Sequence, residues 1–269
     1  MRGMFTAGVL DVLMENGFEF PVCTGVSAGA AFGCNLKSRQ AGRVLRYNKE
    51  YCREPKFCSF RSLLTTGDIF GAEFCYHEIP EKLDPFDTQA YEENPMKFYV
   101  VASDLETGKP HYQRLDRVDE NCYEWIRASA SMPLVSRVVE VGGGKYLDGG
   151  VTDSIPLRFS EQFCKRNIVV LTRPRDYKKP PVSNLWMYRR RLKKYPNMFK
   201  AVKIRHLMYN EQRHYVFKRE KSGDVLVICP DSALEIGRLE HDPEMIQKTY
   251  DLGRKAALEK LEEIRSFLS

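Results

Sequence analysis

The residues Val22-Cys23-Thr24-Gly25-Val26-Ser27-Ala28-Gly29-Ala30-Ala31-Phe32-Gly33-Cys34-Asn35-Leu36 decide how this chain is read. An apolar run reaches Gly25, a tight turn through Val26-Ser27-Ala28-Gly29 follows, and small and apolar residues continue into a buried helix. Strand, turn and helix around Gly-x-Ser-x-Gly make a nucleophile elbow, in which the serine takes a strained backbone conformation and the two glycines let strand and helix approach. Such a turn lifts the Ser27 hydroxyl out of the sheet. It also aims the N–H groups of the first helical turn, at Ala28 and Gly29, toward any oxyanion forming there. The same five residues also read as a glycine-rich turn carrying an incidental serine, so the rest of the chain has to supply the chemistry.

A serine hydroxyl is a poor nucleophile at neutral pH and needs a base within hydrogen-bond reach. Asp148, in Tyr146-Leu147-Asp148-Gly149-Gly150, is the best candidate: it closes a strand, and Gly149 and Gly150 leave open backbone that another segment can approach. Asp-Gly-Gly is also ordinary turn chemistry, and on these residues alone the turn is the stronger reading. A Ser-Asp-His triad of the α/β-hydrolase order would take Ser27, Asp148 and one of His206, His214 and His241, with His77 and His111 completing the histidine inventory. None of the five sits in a small-residue loop suited to that role.

Outward from the elbow, the chain reads as one large α/β domain with a C-terminal extension, its 269 residues and 43% hydrophobic content being enough for a sizeable core. The opening residues around Val9, Leu10, Val12 and Leu13 predict a short helix stopped by Asn16-Gly17. Residues 41–96 read as helices and loops on the substrate side. Phe98–Ala102 predicts a buried strand with a hairpin partner around His111–Leu115, Tyr123–Ala130 a short helix, and Arg137–Val141 a strand turned by Gly142-Gly143-Gly144. The continuous apolar runs Ile168–Thr172 and Val225–Cys229 read as strands of a parallel sheet. Asp242 as N-cap and Pro243 at the first helical position open a final helix through Ile246, Tyr250, Ala257, Leu258, Leu261 and Ile264.

No apolar run approaches the roughly 20 residues that cross a bilayer, and the first residues lack the order of a signal peptide. The eight cysteines are scattered without C-x-x-C or paired His spacing, which reads as free thiols in a reducing compartment and predicts a cytoplasmic protein without a metal site. Net charge is +6, but residues 165–221 hold 18 Lys and Arg against 3 Asp and Glu, leaving 24 basic and 33 acidic residues elsewhere. A basic segment is therefore set on an acidic body. Its interleaved Trp186, Tyr188, Arg189, Arg190, Arg191, Lys193, Lys194 and Tyr195 suit peripheral contact with an anionic membrane surface, and suit a solvated helical face equally well. No nucleic-acid motif accompanies them, so no nucleic-acid partner is expected.

Four segments together resemble the patatin-like phospholipases, in that family's order: Arg2-Gly3 ahead of a small-residue helix, the elbow Gly25–Gly29, Ala128-Ser129-Ala130-Ser131-Met132-Pro133, and Asp148-Gly149-Gly150. The resemblance covers about residues 1–172, and the tail resembles that of a subset of bacterial members. It implies a three-layer α/β/α fold with a mostly parallel central sheet and a C-terminal helical extension. Residues 1–172 would be the catalytic domain, and 173–269 would supply the basic segment, the last strand and the C-terminal helix. It also implies a Ser27/Asp148 dyad without histidine, a lipid ester substrate, an acyl-enzyme, and no metal or cofactor.

Arg2 and Gly3 match the end of that family's Gly-Gly-Gly-x-Arg-Gly oxyanion loop, with Met1 on the x. The glycines and the strand that would come before are not in the sequence, which gives the expectation that Met1 is an internal methionine of a longer protein. Two other classes stay open at this point: a catalytically silent lipid-binding or regulatory protein, and an ordinary Ser-Asp-His carboxylesterase.

Overall fold

The chain opens on helix α1 (Gly3–Glu15) and turns at Gly17, whose φ of +71° suits glycine, into strand β1 (Val22–Val26) and helix α2 (Ala28–Lys37). The computed structural model describes residues 1–237 and 239–269. Helices α3 (Arg43–Tyr51) and α4 (Phe60–Thr66), a π-helical segment over Phe74–Leu83 and helix α5 (Thr88–Glu93) occupy the stretch expected to be helices and loops. Strands β2 (Lys97–Asp104) and β3 (Pro110–Arg114) follow, then helix α6 (Cys122–Ala130), strands β4 (Val139–Val141) and β5 (Gly144–Asp148), a 3₁₀ turn over Gly149–Val151 and helix α7 (Leu157–Ser160). The last part holds β6 (Asn167–Val170), α8 (Leu185–Arg191), the long α9 (Pro196–Lys221), β7 (Val225–Ile228), α10 (Pro243–Glu259) and α11 (Leu261–Leu268).

The architecture is three-layered α/β/α, and β7 displays the layering residue by residue. Leu226 and Ile228 pack with α1 and α10 on one face, whereas Val225 and Val227 pack with Leu157 of α7 and Val216 of α9 on the other. β2 does the same: Phe98, Val100 and Ala102 face α2 and α6, while the Tyr99 ring meets Phe159 and Phe163.

The strands form two sheets, β1 to β5 and the separate pair β6–β7, and their pairing is more mixed than the mostly parallel central sheet expected. β1–β2 and β6–β7 are parallel, but β2–β3, β2–β5 and β4–β5 are antiparallel. The cause is local. β3 and β4 are joined to their neighbours by short hairpins, which can only pair antiparallel, and the Gly142-Gly143 turn takes positive φ at both residues (56° and 76°).

α1 is buried on nearly every side, from Gly3 through Leu13, which is why its sequence is apolar all round. α10 lies directly on it. A Cβ on Gly253 would stand 2.0 Å from the Phe5 carbonyl oxygen, and one on Gly8 2.1 Å from that of Tyr250, so the two backbones touch where only glycine fits. Tyr250 donates its hydroxyl to Asp11 (2.7 Å), and Arg254 pairs with Glu15 at the rim. The final helix starts as its caps predict, with Asp242 accepting from Glu244 N–H. It then breaks at Lys260 into α11; Leu258 is exposed, whereas Ala257 and Ile264 are buried.

Candidate active site

β1 delivers Ser27 to the C-terminal edge of the sheet with φ 55° and ψ −121°, a backbone conformation that L side chains rarely adopt. Gly25 makes the tight crossing possible: a Cβ there would stand 2.5 Å from the Gly29 carbonyl oxygen and 2.6 Å from Cα of Ala30. Gly29 has no such duty, since a Cβ on it would meet no atom within 4 Å. The steric reason expected for both glycines therefore applies to the first alone.

Asp148 ends β5 next to Ala102 of β2 and is 4% exposed. Its Oδ2 accepts the Ser27 hydroxyl at 2.7 Å, and its Oδ1 accepts the backbone N–H of Gly150 at 2.7 Å. Gly149 is required by sterics, because its Cβ would fall 2.0 Å from the Val101 carbonyl oxygen. Burial pushes the Asp148 carboxyl above the usual carboxylate range, against the opposing pull of the Arg205 charge, the Ser27 hydroxyl, the Gly150 N–H and Lys179.

The segment Ala128–Pro133 carries two hydroxyl-bearing residues whose roles no sequence pattern announced. Ser129 Oγ accepts the Ser27 N–H (3.0 Å) and donates to the Val101 carbonyl (2.6 Å), while the Ser131 carbonyl accepts the Asp148 N–H (2.7 Å). One turn thus holds both members of the pair. A second unannounced residue is Arg205 of α9, whose Nε–H donates to the Gly150 carbonyl at 2.6 Å.

Ser27 opens onto a cavity of about 170 Å³ whose wall is chiefly apolar and aromatic, including Phe32, Phe57, Phe70, Ile79 and Met132. Gly3 and Ala28 line the same cavity, and a Cβ on Gly3 would stand 2.8 Å from that of Ala28. The N-termini of α1 and α2 therefore converge beside the serine, each with first-turn N–H groups that have no intrahelical acceptor. Arg2 occupies the N-cap of α1.

The carboxylate reaches the hydroxyl directly, with no imidazole between them. His241 Nδ1 bonds the Cys52 carbonyl, His111 stacks on Trp125, and His77 pairs with Glu81. His206 and His214 lie on α9. Among the described residues no group of three or more His, Cys, Asp or Glu side chains could hold a metal ion. The eight cysteines are free, and among the described residues no helix is long and apolar enough to cross a membrane.

The family model described as Patatin-like phospholipase matches residues 1–159, and a second, described as a domain of unknown function (DUF6363), matches residues 195–269. The uncharacterized protein YjjU of Escherichia coli is 31% identical over 182 residues, covering 64% of this chain and 49% of its own length. The uncharacterized NTE family protein Rv1063c of Mycobacterium tuberculosis is 29% identical over 163 residues, covering 58% of this chain and 41% of its own length. The chain spans about half the length of the curated relatives it matches.

Proposed function

The chain belongs to the patatin-like phospholipase family, and from that premise we propose that it hydrolyses acyl esters of lipids, with Ser27 as nucleophile and Asp148 as its base. The observation that carries this reading is the 2.7 Å hydrogen bond from Ser27 Oγ to Asp148 Oδ2, made by a serine that opens onto an apolar cavity. Ser27 Oγ attacks the ester carbonyl carbon as its proton passes to Asp148. The oxyanion forms where the N–H groups at the start of α1 and α2 converge, around Gly3 and Ala28. Collapse expels the alcohol, which takes the proton from Asp148, and leaves the acyl group on Ser27. Water then attacks the acyl-serine, its proton going to Asp148, and a second collapse releases the fatty acid and returns the proton to Ser27.

The apolar cavity suits an acyl chain. The basic surface of α8 and α9 suits the anionic bilayer from which such a substrate would come. Hydrolysis of p-nitrophenyl esters by the protein, by Ser27→Ala and by Asp148→Asn tests the reading. Turnover by the parent with both variants silent is the expected result. A folded parent silent on short and long esters would sink it in favour of a lipid-binding role.

A further inference from the structure

Region 195–269, matched only as a domain of unknown function, lays its long helix against the segment that carries Asp148. α9 lays one face along the loop that follows Asp148. Met198 and Val202 pack on Leu147 and Val151, Arg205 Nε–H donates to the Gly150 carbonyl, and Gln212, seven residues on, continues the grip. Gln212 Oε1 accepts the N–H groups of Ser154 (3.1 Å) and Ile155 (3.0 Å), and its Nε2 donates to Asp153 (2.6 Å).

Arg205 also bears on the carboxylate itself. A Cβ placed on Gly150 would stand 3.0 Å from Arg205 Nη2 and 3.0 Å from Asp148 Oδ1, so the two charged groups lie within twice that distance of each other. They stop short of ion-pair contact. Cation and carboxylate thus share a gap that any side chain at position 150 would close. This oblique placement leaves Oδ2 free to accept the Ser27 proton, where a bidentate pair would occupy it.

We propose that Arg205 is the positioning residue of this site: it fixes the Asp148–Gly150 turn and sets a positive charge beside the carboxyl group that accepts the Ser27 hydroxyl. The proposal rests on the Ser27/Asp148 reading and adds to it that the second matched region completes the site. Around Asp148, the elbow presents the Ser27 hydroxyl, the 3₁₀ turn the Gly150 N–H, the π-helical segment Tyr76, α9 Arg205, and the segment before α8 Lys179. Lys179 is held against α9 through its backbone, which exchanges hydrogen bonds with Asn210 (2.8 and 3.0 Å).

The test is the pH profile of kcat/KM on a short-chain p-nitrophenyl ester for the parent protein, Arg205→Gln and Arg205→Lys, with Ser27→Ala as control. Removing the cation raises the pH at which Asp148 ionises, so the acid limb of the Gln variant moves up by on the order of one pH unit. Activity on that limb then falls about tenfold, and most of the loss is recovered above it. Lysine keeps the charge and leaves the limb near its original place. A uniform loss at every pH, or a limb that moves as far with Lys as with Gln, overturns the proposal. If Arg205→Gln does not fold by circular dichroism, Arg205→Met, which keeps the aliphatic stem, takes its place; failure of both makes Arg205 structural only and also overturns it. Full activity in Ser27→Ala would bring down the dyad reading itself. A silent Ser27→Ala beside an unmoved Arg205→Gln limb would bring down this inference alone.

Discussion

Ser129 accepts the backbone N–H of Ser27 at 3.0 Å and passes its own hydroxyl proton toward the Val101 carbonyl at 2.6 Å, tying the strained elbow to the central strand β2. The positive φ of Ser27 persists only where its surroundings over-determine it, and this relay is the most direct restraint on it. Ser129→Ala leaves a buried N–H and a buried carbonyl without their partner, which costs about 1–3 kcal/mol. The expected outcome is a melting temperature lowered by several degrees and, because the nucleophile loses its fixed geometry, a kcat reduced about tenfold or more. Calorimetry and ester hydrolysis on the same sample check both. Unchanged kcat would show that Ser129 does not hold the nucleophile.

The two elbow glycines behave oppositely. Gly25→Ala drives a methyl into the Gly29 carbonyl and Cα of Ala30, both backbone atoms that cannot swing aside. It should destabilise by about 1–3 kcal/mol or more and abolish turnover. Gly29→Ala meets nothing, and as an alanine in the first turn of α2 it should be neutral or stabilise by about 0.5–1 kcal/mol. Denaturant midpoints of the two variants decide the matter, and equal losses at both positions would refute the contrast.

The elements were largely legible in the sequence because each carried its own local signal. Asn16-Gly17 stopped α1, Asp242-Pro243 opened α10, and the apolar runs at 98–102, 168–172 and 225–229 marked strands. Ser27 stood out as a short pattern with a chemical meaning, whereas Asp148 on its own residues read as a turn and joined Ser27 only through the family resemblance; the structure sets the two side chains 2.7 Å apart. What escaped depends on residues distant in the chain. Arg205 reaches Gly150 across 55 positions from within a segment whose net charge concealed which of its cations turn inward. Ser129 lay in a matched segment, but nothing in Ala-Ser-Ala-Ser tells which hydroxyl meets the elbow. The sheet's antiparallel share was foreshadowed by Gly142-Gly143 and the 105–109 connection, since each hairpin adds an antiparallel pair.

The stability of the fold should run against its proposed chemistry at Asp148. Burial holds this carboxyl above the usual carboxylate range, so between the unfolded and the folded pKa the native chain binds more protons than the unfolded one. Stability therefore falls as pH rises through that window, and near pH 7 the buried negative charge is a net cost. Asp148→Asn removes the charge and keeps an oxygen for the Gly150 N–H. The variant should melt a few degrees higher near neutral pH, with the gain shrinking as pH falls toward the ordinary carboxylate pKa, while turnover drops by roughly 10³-fold or more. Scanning calorimetry across pH gives the answer; a gain that grows on acidification would contradict the sign.

The surface around the site should bind anionic bilayers. Trp186 is 66% exposed, Ile204 52% and Leu207 61%, and they stand among the exposed cations Arg189, Arg190, Arg191, Lys200 and Lys203. Ile204 and Leu207 flank Arg205, whose side chain reaches the Asp148 loop, so the helix that carries these apolar tips also meets the proposed catalytic pair. Cations near anionic headgroups contribute about 1 kcal/mol each, and the aromatic and aliphatic tips add an insertion term that salt does not screen. Co-sedimentation with phosphatidylserine-containing vesicles should therefore exceed that with phosphatidylcholine alone and weaken in high salt. Combined replacement of Arg189, Arg190 and Arg191 by Glu should abolish the difference between the two lipids, while Trp186→Ala with Ile204→Ala and Leu207→Ala should remove the salt-resistant remainder. Both sets leave Ser27 and Asp148 untouched, so hydrolysis of a soluble short-chain ester should persist. Equal binding to both vesicle types, or loss of soluble-ester turnover in these variants, would show that α8 and the exposed face of α9 serve the fold and not a membrane.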